Sequence, residues 1–202
     1  MSKLTIYLSI IYNLILFHLK GIRFGKRLRV FNRLYLNINP KAKLIIGDDL
    51  LFTSGGGHNP LCRNIRGYIY LPYDDSECII GDSVGISSCC IWASKSIRIG
   101  NRVKIGGNCT IMDTDVHSLD YRIRMNGDKN NQGNALEVLS SIRKSIIIED
   151  DVFIGTGCTI LKGVTIGARS IIAAGSVITK SIPADTIAGG NPCRVIKRIN
   201  ND

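Results

Sequence analysis

"IGTGCTILKGVTIGARSIIAAGSVITKSIP", residues 154–183, decides the fold. Its isoleucines return every six residues, as Ile154, Ile160, Ile166, Ile172 and Ile178. The position four beyond each holds a small or β-branched residue: Cys158, Val164, Ser170, Ser176 and Ile182. An α-helix repeats near 3.6 residues and a strand alternates with a period of two, so neither produces a period of six. A chain that turns a corner every six residues does. Three such hexads close one triangular coil, with the large aliphatic inside and the small companion also turned inward.

Working outward, Ile148 and Val152 start this run. An earlier run keeps the same beat through Ile80, Ile86, Trp92, Ile99, Ile105 and Ile111, with one extra residue before Ile99. Its companions are Val84, Cys90, Ser96, Val103, Cys109 and Asp115. Glycine or alanine follows many of the beats (Gly81, Ala93, Gly100, Gly106, Gly155, Gly167, Ala173), where a tight turn excludes larger side chains. "KLIIGDDLLF" (43–52) adds a rung through Ile46 and Phe52. The pattern predicts an all-β parallel β-helix over residues 36–190, interrupted by inserted loops at 53–79 and 112–147. "NPCRVIKRIN" reads as a turn and a short capping helix, over 191–202, closing the open coil.

The 202 residues include only 6% aromatics but 21 glycines, which suits an aliphatic, turn-rich core. The formal charge is +10, and Lys20, Arg23, Lys26, Arg27, Arg29 and Arg33 crowd one stretch. That cluster fits a polyanionic partner or a solvated basic face. Residues 1–35 form an apolar and basic helical segment. Its apolar run, Leu4–Leu19, is shorter than the roughly 20 residues a spanning helix needs. Thr5, Ser9 and Asn13 fall on one side of that helix. The segment, through residues 1–33, either packs on its own or a neighbouring subunit or lies in a membrane interface. Even a spanning helix would leave the rest of the chain cytoplasmic, because the positive charges follow it; a membrane-bound form would sit at the inner face. Seven cysteines without C-x-x-C spacing speak against a zinc site, and Cys90, Cys109 and Cys158 are accounted for as small core fillers.

The segment quoted first and "AGGNPCRVIKRI" (188–199) resemble the left-handed β-helix acyltransferases, in particular the galactoside, maltose, nodulation-factor and polysaccharide O-acetyltransferases. The resemblance covers about Ile80–Ile199 without the inner loop. It implies a left-handed superhelix, a homotrimer, and acetyl-CoA bound between neighbouring prisms with no metal. The family's catalytic histidine matches His117. Its coenzyme-contacting positions match Thr156, Ala174, Thr179, Lys180, Arg194 and Lys197; the small residues admit the pantetheine arm and the cations meet phosphates. Some relatives have arginine where this chain has Lys197, which keeps charge without the planar fork. Where the sugar acetyltransferases carry an acceptor-holding asparagine, Ile86 is followed by Ser87 and Ser88. The acceptor pocket is therefore expected to be built differently, with Ser87 and Ser88 as acceptor contacts, and a galactoside is not supported. A small-molecule or lipid-linked saccharide is the expected acceptor, and a nucleic-acid partner is not expected.

The chemistry explains why a histidine stands at the end of a repeat. A thioester carbonyl is already activated, whereas an alcohol must lose its proton as it attacks. An imidazole, with an ordinary pKa of about 6.5, can take that proton and return it to the departing sulfur. Asp113, or with less reason Asp115, is expected to fix its tautomer. His18 reads as a packing residue. His58 lies in "TSGGGHNPLCRNIRGYIY" (53–70), whose glycines lack phosphate-loop spacing; Arg63, Arg66 and Tyr68 there are expected acceptor contacts. Zinc-dependent hydration on the same prism would need three histidine ligands, and the chain has three in all, one of them His18. The alternatives that stay open are N-acetylation of an amino sugar and a non-catalytic, membrane-associated trimeric scaffold. O-acetylation of serine is disfavoured, since 1–35 is too short for the helical domain those enzymes carry.

Overall fold

The computed structural model describes residues 3–62, 64–130 and 133–199. Helix α1 (Lys3–Leu19) precedes a triangular parallel β-helix. The first coil is β1 (Arg23–Phe24), β2 (Arg29–Phe31) and β3 (Tyr35–Ile38); the second is β4 (Lys43–Ile46), β5 (Leu51–Thr53) and β6 (Tyr68–Leu71). The third is β7 (Glu77–Ile80), β8 (Gly85–Ser87) and β9 (Cys90–Trp92), and the fourth β10 (Ser96–Ile99), β11 (Lys104–Ile105) and β12 (Thr110–Met112). After an insertion come β13 (Ile146–Ile148), β14 (Phe153–Ile154) and β15 (Thr159–Leu161), then β16 (Thr165–Ile166), β17 (Ile171–Ile172) and β18 (Val177–Ile178). Strands β19 (Thr186–Gly189) and β20 (Arg194–Arg198) end the described chain.

Up to β18 every third strand pairs in parallel, and β19 then adds to β17, so three walls form: wall A from β1 to β16, wall B from β2 to β19, and wall C from β3 to β18. Among the described residues this completes six coils. Isoleucines stack inside, as in Ile80–Ile99–Ile148–Ile166 and Ile91–Ile111–Ile160–Ile178. Each is essentially excluded from solvent, so each contributes the stabilisation of a fully buried aliphatic side chain.

The corner between walls A and B is a second ladder. One residue per coil takes a left-handed backbone there: Arg27, Asp49, Ser83, Arg102, Asp151, Arg169 and Asp185. The preceding side chain caps the neighbouring coil: Asp48 Oδ1 accepts from Lys26 N, Asp82 Oδ1 from Asp48 N, Asn101 Oδ1 from Asp82 N, and Asp150 Oδ1 from Asn101 N. Gly81 is required by close approach, not by a left-handed turn. A Cβ there would lie 2.7–2.8 Å from Asn101 Oδ1 and the Gly100 backbone.

Five expectations need correction. The inward residue of β9 is Ile91, in register with Ile111, while Trp92 faces outward beside Met112. Correspondingly Cys89, not Cys90, is the buried filler. A slip of one residue exchanges the two faces of a strand, and only the isoleucine fits the coil interior. The helical segment expected over 1–35 ends at Leu19, and the basic stretch is already the first coil. The loop expected at 53–79 contains β6, whose Ile69 and Leu71 point inward, so the insertion shrinks to 54–67. The loop expected at 112–147 runs from 113 to 145, since Met112 and Ile146 belong to walls.

The fifth correction is the carboxyl terminus. No helix caps it among the described residues; β20 runs antiparallel to β19 after a turn with a cis Asn191–Pro192 bond. Strand β19 would otherwise leave its hydrogen-bonding edge open, and an added strand closes it.

Candidate active site

Wall C ends at Met112, and the chain leaves the prism at the corner between walls C and A. Asp113 anchors that exit. Its buried carboxylate accepts from Ser94 N (2.6 Å), Lys95 N (2.8 Å) and Ser96 N (2.7 Å), tying the insertion to the coil before it. Burial pushes the Asp113 carboxyl above its ordinary range, against the opposing pull of these N–H groups. The two legs of the insertion are then zipped together: Lys144 N donates to Asp113 O (2.9 Å) and Asp115 N to Ile142 O (3.1 Å).

Beyond this neck the backbone of Val116 turns left-handed, and His117 projects outward. The His117 Nδ1 lies 3.2 Å from Glu137 Oε2, on the short helix α3 (Leu136–Leu139) across the loop from α2 (Tyr121–Asn126). A carboxylate only accepts, so the hydrogen sits on Nδ1 and the lone pair on Nε2. The imidazole is 58% exposed, so Nε2 is within reach of a substrate. Glu137, not Asp113, is thus the carboxylate that orients the ring; Asp113 is committed to three backbone donors. Asp115 is committed as well, forming an ion pair with Lys162 at the end of β15.

A cleft of about 650 Å³ opens beside α3, bounded by Tyr70, Tyr73, Asp74, Asp75, Asn134 and Arg143. Arg143 lies over the Tyr73 ring (4.8 Å), pairs with Asp75 (3.2 Å) and donates to Ser94 O (2.8 Å). The outer face of wall C carries an aromatic strip into this cleft: Tyr68 stacks with Tyr70 at 6.0 Å, and Tyr70 meets Trp92 at 5.2 Å. The Trp92 indole N–H is buried without a hydrogen-bond partner among the described residues.

Four of the expected coenzyme contacts divide between two edges of wall C, and the other two lie on β20. Thr156 and Ala174 stack on the corner between walls B and C, where Gly175 N donates to Thr156 O (2.8 Å). A Cβ on Gly155 would fall 2.6 Å from Ala174 N, so this column is built of small groups. Thr179 and Lys180 are exposed at the opposite corner, after β18, the corner from which His117 departs. Arg194 and Lys197 are exposed on β20.

Ser87 and Ser88 sit on the Thr156 corner, at the other edge of wall C from the corner where His117 departs. Ser88 is buried and accepts from Gly55 N (2.8 Å), holding the 54–67 loop, so it has no free hydroxyl for an acceptor; this expectation is overturned. Ser87 receives the Thr53 hydroxyl at 3.1 Å. Arg66 donates to Tyr35 OH (2.8 Å), and Tyr68 meets that ring edge-on, so both belong to the outer face of wall C near the amino-terminal coils. Arg63 lies outside the described residues. His58 packs against Phe31, and burial lowers its pKa. Sequence reasoning missed Glu137, Trp92 and Lys162. Only Trp92 carried a signal: a residue too bulky for the interior slot it was assigned.

The family described as "Bacterial transferase hexapeptide (six repeats)" matches residues 145–180. A galactoside O-acetyltransferase of Lactococcus lactis is 39% identical over 105 residues, covering 52% of this chain and 44% of that protein. The chain spans about half the length of the curated relatives it matches. The crystal structure of a hexapeptide-repeat acetyltransferase from Vibrio cholerae superposes with a TM-score of 0.58 at 25% identity, over 96% of this chain and 82% of that one. A galactoside acetyltransferase solved with coenzyme A gives a TM-score of 0.53 at 28% identity, over 76% of this chain and 66% of that one.

Proposed function

We propose that this chain, a left-handed hexapeptide-repeat prism like those of the acetyltransferases above, transfers acetyl from acetyl-CoA to a hydroxyl of a saccharide. The observation that supports this most is His117, presented where the repeat breaks off, with Glu137 on Nδ1. Acetyl-CoA supplies the activated thioester carbonyl. His117 Nε2 takes the acceptor hydroxyl proton as the oxygen attacks that carbonyl, and gives it to the departing sulfur. Direct transfer in a ternary complex needs no acetyl-enzyme, and the thiols nearest the coenzyme positions, Cys109 and Cys158, are buried core groups.

The donor fits the residues present. The small column at Thr156 and Ala174 lets a narrow arm approach the backbone, and the exposed Lys180, Arg194 and Lys197 can meet phosphates. Thr156 and Ala174 lie at one edge of wall C and Lys180 at the other, with Arg194 and Lys197 on β20. One bound coenzyme reaches both sets most simply when the edge of one prism faces that of a neighbour, which is our ground for a homotrimer. The cleft beside α3 holds the acceptor: aromatic faces at Tyr70 and Tyr73 suit the apolar side of a sugar ring, and Asn134 and Asp74 suit its hydroxyls. Arg66 and Tyr68 extend that surface for a longer glycan or a lipid-linked saccharide. The enzyme works in the cytoplasm, at the inner face of the membrane; seven unpaired cysteines fit a reducing compartment.

The test is thiol release from acetyl-CoA with a panel of glycans, amino sugars included. Wild-type protein should turn over a saccharide hydroxyl acceptor, and His117→Ala should lose about 10²-fold or more with coenzyme binding retained. Coenzyme binding without release for any acceptor would reject catalysis, and acetylation confined to amines would reject O-transfer.

A further inference from the structure

Helix α1 is turned the opposite way from an ordinary surface helix. Two of its polar residues, Ser9 and Asn13, face the prism. Ser9 Oγ donates to Val30 O (3.1 Å) and accepts from Asn32 N (2.9 Å), while the fully buried Asn13 donates to Asn32 O (2.8 Å) and Ser9 O (2.7 Å). Phe17 is buried against Phe24. The reason lies in the prism: the first coil has no coil beneath it, so its open backbone groups need donors and acceptors, and Ser9 and Asn13 provide them. The consequence is that the apolar side of the helix looks outward. Leu4, Leu8, Ile11 and Ile15, spaced i, i+4, i+7, i+11, form one stripe and are 51–67% exposed. Tyr7, Tyr12 and Leu19 flank it, also exposed.

The charge around this stripe identifies its occupant. The first 47 residues hold nine lysines and arginines and no aspartate or glutamate. Lys20, Arg23, Lys26, Arg29 and Arg33 are exposed after the helix and on the first coil. Arg33 reaches the helix itself, with its guanidinium 5.3 Å from the Tyr12 ring centre. We propose that this face docks on an anionic lipid bilayer, the stripe entering the headgroup boundary and the basic collar meeting lipid phosphates. A second copy fits less well, because two such faces meeting would oppose two unneutralised collars. The helix lies on the bilayer without crossing it: its 17 residues reach only about 26 Å against a hydrocarbon core of about 30 Å. This inference stands independently of acetyl transfer.

The experiment is co-sedimentation of the full chain with vesicles of phosphatidylcholine containing roughly one-third phosphatidylglycerol, and with phosphatidylcholine alone. Binding should be at least about ten-fold stronger to the anionic vesicles and should fall with salt. Leu8→Asp with Ile15→Asp should abolish it, with the thermal transition unchanged because both side chains point away from the prism. Arg23→Glu and Lys26→Glu should each weaken binding about five-fold or more. Wild-type protein that ignores anionic vesicles would overturn the proposal. So would a Leu8→Asp, Ile15→Asp variant that binds them undiminished, or one whose only change is the loss of an oligomer in light scattering.

Discussion

Replacing Asp113 separates two roles that its position in the chain cannot. In the structure its carboxylate receives three backbone N–H groups, from Ser94, Lys95 and Ser96, at 2.6–2.8 Å, and makes no contact with His117. Asp113→Ala strands all three donors at the foot of the insertion. Each stranded buried donor costs about 1–3 kcal/mol. Water entering the space and the relief of a buried charge return part of that, leaving a net loss of about 3–5 kcal/mol. With a urea m-value of about 2 kcal/mol/M, the unfolding midpoint falls by about 1.5–2.5 M. Asp113→Asn keeps one acceptor oxygen but turns an NH₂ toward the donors, so it should lose about half as much. Turnover per folded molecule, measured well below the transition, should stay within a few-fold of wild type. An unchanged midpoint together with a hundred-fold drop in turnover would refute this reasoning and return Asp113 to the catalytic group.

Glu137→Gln can offer its amide N–H to Nδ1 and so favour the wrong tautomer; turnover should fall about ten-fold or more with coenzyme affinity unchanged, read as kcat against KM. Gly81→Ala places a methyl against the next coil's backbone and should lower stability by about 1–3 kcal/mol in denaturant titration. The arginine partners along the corner between walls A and B hold Asp49, Asp151 and Asp185 below the usual carboxylate range, and backbone and side-chain N–H groups of Asn101 do so for Asp150. A depressed folded-state pKa stabilises above the unfolded value and is lost as pH falls through the folded one. Stability should therefore decline below about pH 4, and Arg102→Ala should bring acid unfolding to a higher pH in circular dichroism, less so in high salt.

The beat of isoleucines was legible because the prism interior admits one size of residue per wall and repeats it at every coil. Where two residues compete for that slot, the beat alone misleads. Ile91 and Trp92 are neighbours, both apolar, and only the pairing of Ile91 with Ile111 decides between them. The first coil escaped notice for a related reason. Its outward positions carry Arg23, Arg29 and Tyr35, and a reading that weighs charge sees a basic tail where the inward residues Leu28, Val30 and Leu34 already build wall. The carboxyl end was missed because its strand is exposed along its whole length and has no periodic face to read. Its conformation is set by the open edge of β19, a demand that exists only once the prism is assembled.

The site divides along the same line. His117 was legible as a candidate because it stands where a regular pattern fails, and failure of a pattern is itself readable. Its partner could not. Asp113, Asp115 and His117 alternate in sequence, which suggests a shared face, but alternation places side chains together only while the chain stays extended. Val116 turns left-handed between Asp115 and His117, and the neck bonds between 113–115 and 142–144 have already fixed both aspartates on the prism. The ring swings toward the far leg of the loop, where Glu137 waits twenty residues on in a segment without period. A carboxylate supplied by the returning leg ties the ring's orientation to the closure of the whole insertion. Changes at the neck, remote from the ring, should then loosen the imidazole before they unfold the prism.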